Sequence, residues 1–206
     1  MDTVTIDGIN FDIDAIEKDC WHRLINGAVQ YKHPMHNCVV ANLSNTGINM
    51  RTVVLRKAWA IEKQLAFYTD IRSPKWNELL TNNTINWLFY DDKARIQIKI
   101  TGVAVLEQQN EFANLAWVNT NGKSRRNYET LLSPSTESLH ATSGIPAEFE
   151  GAEDTKEVSE AGRQNFGVII SNVKIMEWLW LGTNGHRRAK FIYHEDGSFT
   201  ACWLVP

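Results

Sequence analysis

The segment Ala94–Leu106 is the feature that most limits the folds open to this chain. Within it, Ile96, Ile98 and Ile100 alternate with polar residues. A period of two is the signature of a strand with one buried face, and it does not fit an amphipathic helix. Gly102 lies inside the segment, and a glycine in a strand interior predicts a bulge or a bend. We therefore predict one long, locally distorted β-strand here.

Strand signals recur on both sides of this segment. The dipeptides Asn184-Gly185 and Asp196-Gly197 are strong hairpin turns. Further strands are predicted at Cys38–Leu43, Thr52–Leu55, Leu65–Tyr68, Ile85–Tyr90, Val168–Ile170, Ile175–Leu181, Arg187–Tyr193 and Phe199–Val205. Closely spaced antiparallel strands with few helices predict a mainly β fold, a small antiparallel barrel with peripheral helices.

Helical signals are fewer. Residues 11–31 carry apolar side chains at helical spacing, and Pro34 stops any continuation. Ser73 and Pro74 suit the N-cap and the first position of a short helix. A second helix is predicted at 107–118, and residues 122–144 are expected to be loop with a short helical piece.

The chain shows no internal repeat and no linker, so we expect residues 1–206 to form a single domain. The segment 147–163 is strongly acidic. Runs of charge usually lie on solvated surface, so we expect a surface loop or helix there and no site.

Composition excludes several functions. A net charge of -3 gives no reason to expect nucleic-acid binding. No apolar run is long enough for a membrane span, and the N-terminus lacks the apolar region of a signal peptide. The three cysteines are far apart, which predicts reduced thiols in a cytoplasmic protein. The histidines lack metal-ligand spacing, so no metal is expected, and no G-x-G-x-x-G or catalytic-triad pattern is present.

Three polar motifs occur in a fixed order. They are Arg51-Thr52-Val53-Val54-Leu55-Arg56, then Phe67-Tyr68-Thr69-Asp70 followed by Ser73-Pro74-Lys75, then Gln97 on the long strand. Arginine, lysine, a hydroxyl and a helix start are suited to binding phosphate. Taken alone, the first motif is better explained by surface arginines and the second by an ordinary capped helix with a solvated lysine, and Gln97 could be a solvent-facing glutamine.

The ordered set resembles the pyridoxamine 5′-phosphate oxidase family of FMN-binding split barrels. The runs R-x-V-x-L-R, F-Y-T-D-x-R-S-x-K and R-x-Q-I-x-x-x-G carry the resemblance, which covers roughly residues 37–206 and is weak at 107–165. It implies a six-stranded antiparallel split β-barrel and a homodimer with FMN held between two subunits. The cofactor-binding residues that it implies are Arg51, Thr52, Val53, Val54, Arg56, Tyr68, Thr69, Ser73, Lys75, Gln97 and Lys190.

The resemblance to the family is less complete at the substrate site. Pro74 replaces a phosphate-binding arginine, for which Arg72 is the expected substitute, and Leu179 stands where the oxidase has a tryptophan near the flavin. The substrate-gripping pair falls on His186 and Arg188 with the residue types exchanged. The candidate substrate-binding residues are Arg56, Arg125, Arg126, Tyr128, His186 and Arg188. No catalytic acid or base stands out.

The resemblance implies an FMN-dependent oxidoreductase. A small amine or alcohol, with or without a phosphate, would pass a hydride to flavin N5, and oxygen would reoxidise the flavin. Two alternatives remain. One is a flavin-binding protein that acts as a redox carrier or binding module without oxidase turnover, and the other is a β-barrel that binds no flavin.

Overall fold

The computed structural model describes residues 3–6, 8–146 and 157–206. The N-terminal helix α1 (Ile13–Val29) follows a short hairpin of β1 (Val4–Ile6) and β2 (Ile9–Phe11). The carboxylate of Asp12 accepts a hydrogen bond from the Ala15 amide and caps α1. Its buried face includes Ile16, Cys20 and Leu24, as the helical spacing predicts. The hairpin was not predicted, because its three-residue strands are too short to show a period.

The main sheet is antiparallel throughout and runs in the order β11-β10-β9-β8-β7-β3-β4, with β6 on the free edge of β9 and β5 beyond β6. The strands are β3 (Asn37–Ser44), β4 (Gly47–Val54), β5 (Lys57–Trp59), β6 (Gln64–Asp70), β7 (Thr84–Asp91), β8 (Ile96–Glu107), β9 (Phe166–Trp180), β10 (Arg187–Tyr193) and β11 (Phe199–Leu204). The fold class is mainly β, as predicted.

Six of these strands form an open ring. The first half of β9 pairs with β8 along one edge and with β6 along the other, and β7, β3 and β4 complete the circuit. Between β4 and β6 the described residues form no strand ladder. The chain that connects them lies across the gap, and its Arg56 amide donates to the Ala66 carbonyl at 2.9 Å. The ring is therefore a barrel split along one side.

The expected strand number of six was wrong for the sheet as a whole, which contains nine strands. The reason is the length of β9. Its second half, Ile175–Trp180, extends past the ring and pairs with β10, and β11 pairs with β10 in turn. The short strand β5 adds a hairpin to β6.

β9 is one continuous strand, and the sequence analysis divided it into two. The pairing of β8 with β9 shifts register between Thr101 and Gly102, which confirms the predicted bulge. A Cβ atom on Gly102 would lie 2.4 Å from Ser171 Oγ and 2.7 Å from the Asn172 carbonyl oxygen. The glycine therefore lets the polar stretch of β9 pass close to β8, so pairing continues where the apolar pattern is interrupted.

Helices lie around the barrel. α2 (Pro74–Thr81) starts at Ser73, as predicted, and α3 (Glu111–Val118) and α4 (Gly122–Arg125) follow β8. Next come a 3₁₀ helix at Arg126–Tyr128 and another at Glu157–Asn165. Of the acidic segment 147–163, residues 147–156 lie outside the described residues. The remainder belongs to the second 3₁₀ helix.

Two apolar cores hold the fold together. The barrel interior is filled by large side chains such as Phe67, Trp87 and Trp178, all almost fully buried. A smaller core beneath α3 is built on Trp117, Tyr128 and Phe166, with Tyr68 at its margin. Among the described residues, every helix is too short or too polar to span a lipid bilayer.

Candidate functional site

Lys75, Ser73 and Thr69 form a compact polar cluster at the start of α2. The Lys75 ammonium donates to Thr69 Oγ1 at 3.1 Å and to Ser73 Oγ at 2.9 Å. Ser73 Oγ donates in turn to the Asp70 carbonyl at 2.6 Å. Ser73 occupies the N-cap position, but its hydroxyl makes no capping bond to the helix. The hydroxyls therefore hold the lysine in place.

Arg51 reaches the same end of the barrel from β4. One guanidinium nitrogen donates to Asn42 Oδ1, and another lies 3.8 Å from Glu78 Oε2 on α2. Asn42 and Asn49 donate to the Glu78 carboxylate at 2.7 and 3.1 Å. Arg51 shares its face of the sheet with Val40 and therefore points inward, where 19% of its side chain is exposed. The Asn42 amide and the Glu78 carboxylate thus hold the guanidinium, and Asn49 helps to hold the carboxylate.

The two cations lie close enough to repel each other. Burial lowers the pKa of Lys75, and the charge of Arg51 lowers it further, while Asp70 and Glu78 oppose the shift. Burial likewise lowers the pKa of Arg51, whereas the negative charge of Glu78 raises it. Arg51, Ser73 and Lys75, which are remote in sequence, are thus brought together at one end of the barrel.

This cluster fits the phosphate of FMN. Two carboxylates, Asp70 and Glu78, lie near Arg51 and Lys75, and Asp70 also forms an ion pair with Arg72 at 2.6 Å, so three cations face two carboxylates. The cluster therefore carries excess positive charge in a half-buried place, where an anion is stabilised more than in water. A guanidinium and an ammonium are also donors that bind phosphate in proteins, and the Thr69 and Ser73 hydroxyls orient the ammonium.

Arg72 does not take over the role of the missing arginine at Pro74. Its guanidinium forms a double bridge to the Asp70 carboxylate and donates to the carbonyl and hydroxyl oxygens of Thr130 at 2.9 Å. These bonds tie the start of α2 to the segment after the first 3₁₀ helix. Arg72 therefore has a structural role in this arrangement, and its expected phosphate contact stays a prediction.

Arg56 and Tyr68 lie side by side next to the split in the barrel. The Arg56 guanidinium stands 5.4 Å from the centre of the Tyr68 ring. Burial raises the pKa of Tyr68, so its hydroxyl stays protonated at neutral pH. Both residues line a cleft of about 400 Å³ between β5 and α3. A ring system bound beside the split would meet these two side chains.

Outward-facing candidates lie on the opposite face of the sheet. Along β4, Thr52 and Val54 point outward, whereas Val53 joins the margin of the barrel core. Gln97 pairs across the strands with Tyr90 and Leu179, and Lys190 pairs with Glu177. Paired residues share one face of a sheet, and these side chains lie on the outer face. The fold therefore separates Gln97 and Lys190 from the inward-pointing Arg51.

The two remaining candidates, His186 and Arg188, lie where β10 begins, at the rim of this outer face. Arg188 donates to the Glu177 carboxylate, which also accepts from Lys99 at 3.1 Å. Burial would raise the pKa of Glu177, but these two cations lower it below its ordinary value. His186 is exposed in the turn before β10 and, with Arg188, lines a second cleft near the C-terminus. Neither residue lines the cleft beside Arg56.

Arg125 and Tyr128 are buried. The Arg125 guanidinium stacks 4.8 Å from the Trp117 ring centre, bridges Glu160 and donates to the Thr120 carbonyl at 2.9 Å. These contacts occupy it inside the smaller core, which corrects the expectation that it holds a substrate phosphate. The Tyr128 ring packs against Trp117 in the same core. Burial raises the pKa of Tyr128, opposed by the nearby charge of Arg56. Arg126 lies beside them at the start of the 3₁₀ helix.

Asn42, Asn49 and Glu78 were missed by the sequence analysis. Asn42 is a buried amide inside an apolar strand run, and that break in the pattern was a usable signal. Glu78 follows Lys75 by three residues, which places both on one side of a helix. Asn49 gave no signal, because a polar residue on a predicted turn or strand end is ordinary.

Comparison with known proteins agrees with this geometry. Residues 18–108 match the family described as pyridoxamine 5′-phosphate oxidase, FMN-binding domain. No curated protein matches the chain.

Two crystal structures share the fold along almost the whole chain. A pyridoxamine 5′-phosphate oxidase-related, FMN binding protein from Nostoc punctiforme PCC 73102 superposes with a TM-score of 0.72 and 17% identity, over 94% of this chain and 97% of that one. PhzG from Burkholderia lata 383, crystallised with tetrahydrophenazine-1-carboxylic acid, superposes with a TM-score of 0.69 and 16% identity. The superposition covers 98% of this chain and 100% of that one. At such identities the likeness shows the fold alone. The match over residues 18–108 adds that this part of the chain is similar to the FMN-binding domain of the pyridoxamine 5′-phosphate oxidase family.

Proposed function

We propose that this protein is an FMN-dependent oxidoreductase that oxidises a small molecule. The observation that carries the proposal is the convergence of Arg51, Ser73 and Lys75 on one anion site, with Arg56 and Tyr68 beside the adjoining split in the barrel. Bound FMN would supply a hydride acceptor whose electrons pass on to oxygen or to another acceptor. The protein's own share is binding, orientation and electrostatics.

Particular residues would provide the binding, the orientation and the electrostatics. Arg51 and Lys75 would hold the phosphate by charge-assisted hydrogen bonds, with the Ser73 and Thr69 hydroxyls orienting the lysine. Arg56 would place a positive charge at the edge of the flavin ring or of the substrate, and its contact with Tyr68 restricts where that charge can lie. A neutral amine would pass its hydride directly and leave an iminium ion, whereas an alcohol would in addition release its hydroxyl proton to water.

We also propose a homodimer in which the outer face of one subunit completes the site of the other. Exposed apolar side chains collect on the outer face of β4, β3 and β7, namely Leu43, Ile48, Met50, Leu88 and Tyr90. Clustered exposed apolar residues are typical of interfaces. Gln97 and Lys190 lie on the same face and point away from Arg51 of their own chain, so a partner's cofactor is their natural target.

A flavin-binding protein without oxidase turnover is the second candidate. Two observations favour it, because Arg188 is bound by Glu177 and Arg125 by Glu160, which leaves fewer cations for a substrate anion. A redox carrier in the cytoplasm, composed of one domain, would need only the cofactor site. The free state of Cys20, Cys38 and Cys202 supports a reducing compartment for either candidate.

Anaerobic reduction separates the two candidates. Protein saturated with FMN is mixed with a panel of amines and alcohols, pyridoxamine 5′-phosphate included, and the flavin absorption is followed. Bleaching that reverses when oxygen is admitted supports the oxidoreductase. Full FMN occupancy without bleaching by any member supports the carrier. Failure to bind FMN would contradict both.

A further inference from the structure

Glu78 on α2 connects two strands of the barrel to the anion site. Its carboxylate accepts from Asn42 Nδ2 on β3 at 2.7 Å and from Asn49 Nδ2 on β4 at 3.1 and 3.3 Å. Only 16% of the Glu78 side chain is exposed, and Asn42 is almost fully buried. A buried carboxylate without hydrogen-bond donors would be costly. The two amides therefore account for the position of Glu78 against the strands.

The amide of Asn42 can face only one way in this network. Its nitrogen donates to Glu78 Oε2 and, at 2.9 Å, to the carbonyl of the adjoining Leu43. Its oxygen accepts from the Arg51 guanidinium. A reversed amide would set its NH2 group against the donors of Arg51 and its oxygen against a carboxylate. Glu78 therefore orients Asn42, and Asn42 in turn holds one end of the Arg51 guanidinium.

Glu78 attracts Arg51 but forms no hydrogen bond to it. Arg51 Nη2 lies 3.8 Å from Glu78 Oε2, which is beyond hydrogen-bond distance. Both oxygens of the carboxylate already accept from the amides of Asn42 and Asn49. Among the described residues, Asn42 is the one hydrogen-bond partner of the Arg51 side chain. The other N–H groups of the guanidinium are therefore left for an anion beside Lys75.

We infer that Glu78 is a positioning residue, which acts through Asn42 to hold Arg51 in the orientation that binds the phosphate of FMN. The inference rests on the proposed function, because that function makes the anion a flavin phosphate. Glu78 has two opposing effects on such an anion. Its negative charge repels the phosphate, while its hydrogen bonds favour binding by restricting the guanidinium beforehand.

A charge-matched pair of variants separates these effects. Glu78→Gln and Glu78→Met both remove the negative charge and keep an unbranched side chain of similar length. Glutamine can still accept from Asn42 and donate to a turned Asn49 amide, whereas methionine offers no comparable acceptor. We expect Glu78→Met to bind FMN about three- to tenfold more weakly than Glu78→Gln, the loss expected when one long side chain must be ordered during binding. Riboflavin, which lacks the phosphate, should bind both variants equally.

The same pair in an Arg51→Ala background shows whether the effect passes through Arg51. With no guanidinium to hold, the two variants should bind FMN equally, within about twofold. A difference that persists in this background would show that Glu78 acts on α2 and Lys75 instead, and would overturn the inference. Asn77→Ala is the control for a substitution on α2, because among the described residues its side chain bonds to no member of the network. It should leave both affinities unchanged.

Quenching of flavin fluorescence measures every affinity, and riboflavin binding shows that a variant retains a folded site. Glu78→Ala takes the place of Glu78→Met if the latter does not fold. A wild type that binds no FMN overturns the proposed function and this inference with it. Normal FMN binding by the wild type, with equal FMN affinities of the two charge-matched variants, overturns this inference alone.

Discussion

Replacing Arg51 with alanine should weaken FMN binding and leave riboflavin binding unchanged. Riboflavin has the same ring system but no phosphate, so the ratio of the two dissociation constants isolates the phosphate contact. Arg51 lies on the inward face of β4, held by Asn42 and Glu78, and loses little side-chain freedom on binding. It is therefore pre-organised for an anion.

The magnitude follows from two opposing effects. A charge-assisted hydrogen bond is worth about 1.5–3 kcal/mol, which corresponds to roughly 12- to 160-fold in affinity. Against this, removing Arg51 relieves the repulsion that lowers the pKa of Lys75, so the lysine holds its proton more firmly. We therefore expect about a 10- to 100-fold loss for FMN.

Quenching of flavin fluorescence at neutral pH measures both dissociation constants. Lys18→Ala, which removes an exposed positive charge from α1, controls for the change in net charge. Arg51→Lys should recover part of the affinity, because a point charge remains without the paired donors. An unchanged ratio of FMN to riboflavin affinity in Arg51→Ala would refute the reasoning and place the phosphate elsewhere.

Three further predictions concern pH, the bulge and the interface. Because the pKa of Lys75 is lowered, its proton is lost at a lower pH than that of an ordinary lysine. The ratio of FMN to riboflavin affinity should therefore fall as the pH rises through the alkaline range. In Lys75→Met this ratio should depend much less on pH. Gly102→Ala places a Cβ against Ser171 Oγ and should lower the free energy of unfolding in urea by about 1–3 kcal/mol. Adding Ser171→Gly should restore part of that free energy. Equal stability of the Gly102→Ala and wild-type proteins would contradict the assigned bulge. Leu88→Glu places a charge on the exposed apolar face. Sedimentation should then show monomers, and titration should show weaker FMN binding. A dimer with normal FMN affinity would exclude this face as the interface.

Local patterns predicted much of the fold correctly. The helical spacing of Ile16, Cys20 and Leu24 identified α1, and Pro74 after Ser73 identified the start of α2, because these signals depend only on neighbours in sequence. The alternation around Gly102 identified both β8 and its bulge.

The failures share one cause, which is dependence on distant contacts. Residues 171–174 of β9 look like a break in the apolar pattern, and only the close approach of Gly102 keeps them in the sheet. Arg125 looks like a solvent-exposed ligand for anions, and only Trp117 and Glu160 show that it is a buried structural group.

By itself, the sequence determined that the chain is mainly β, where its turns lie and which residue types could bind a phosphate, because each of these depends on the period of side chains along one segment. Only the tertiary structure decided which of those residues meet. Arg51 lies on β4 and Lys75 on α2, and the barrel brings both to Glu78 while it turns Gln97 to the opposite face. A charged site depends on distances of a few ångströms between groups remote in sequence, and such distances exist only once the sheet has closed around its core.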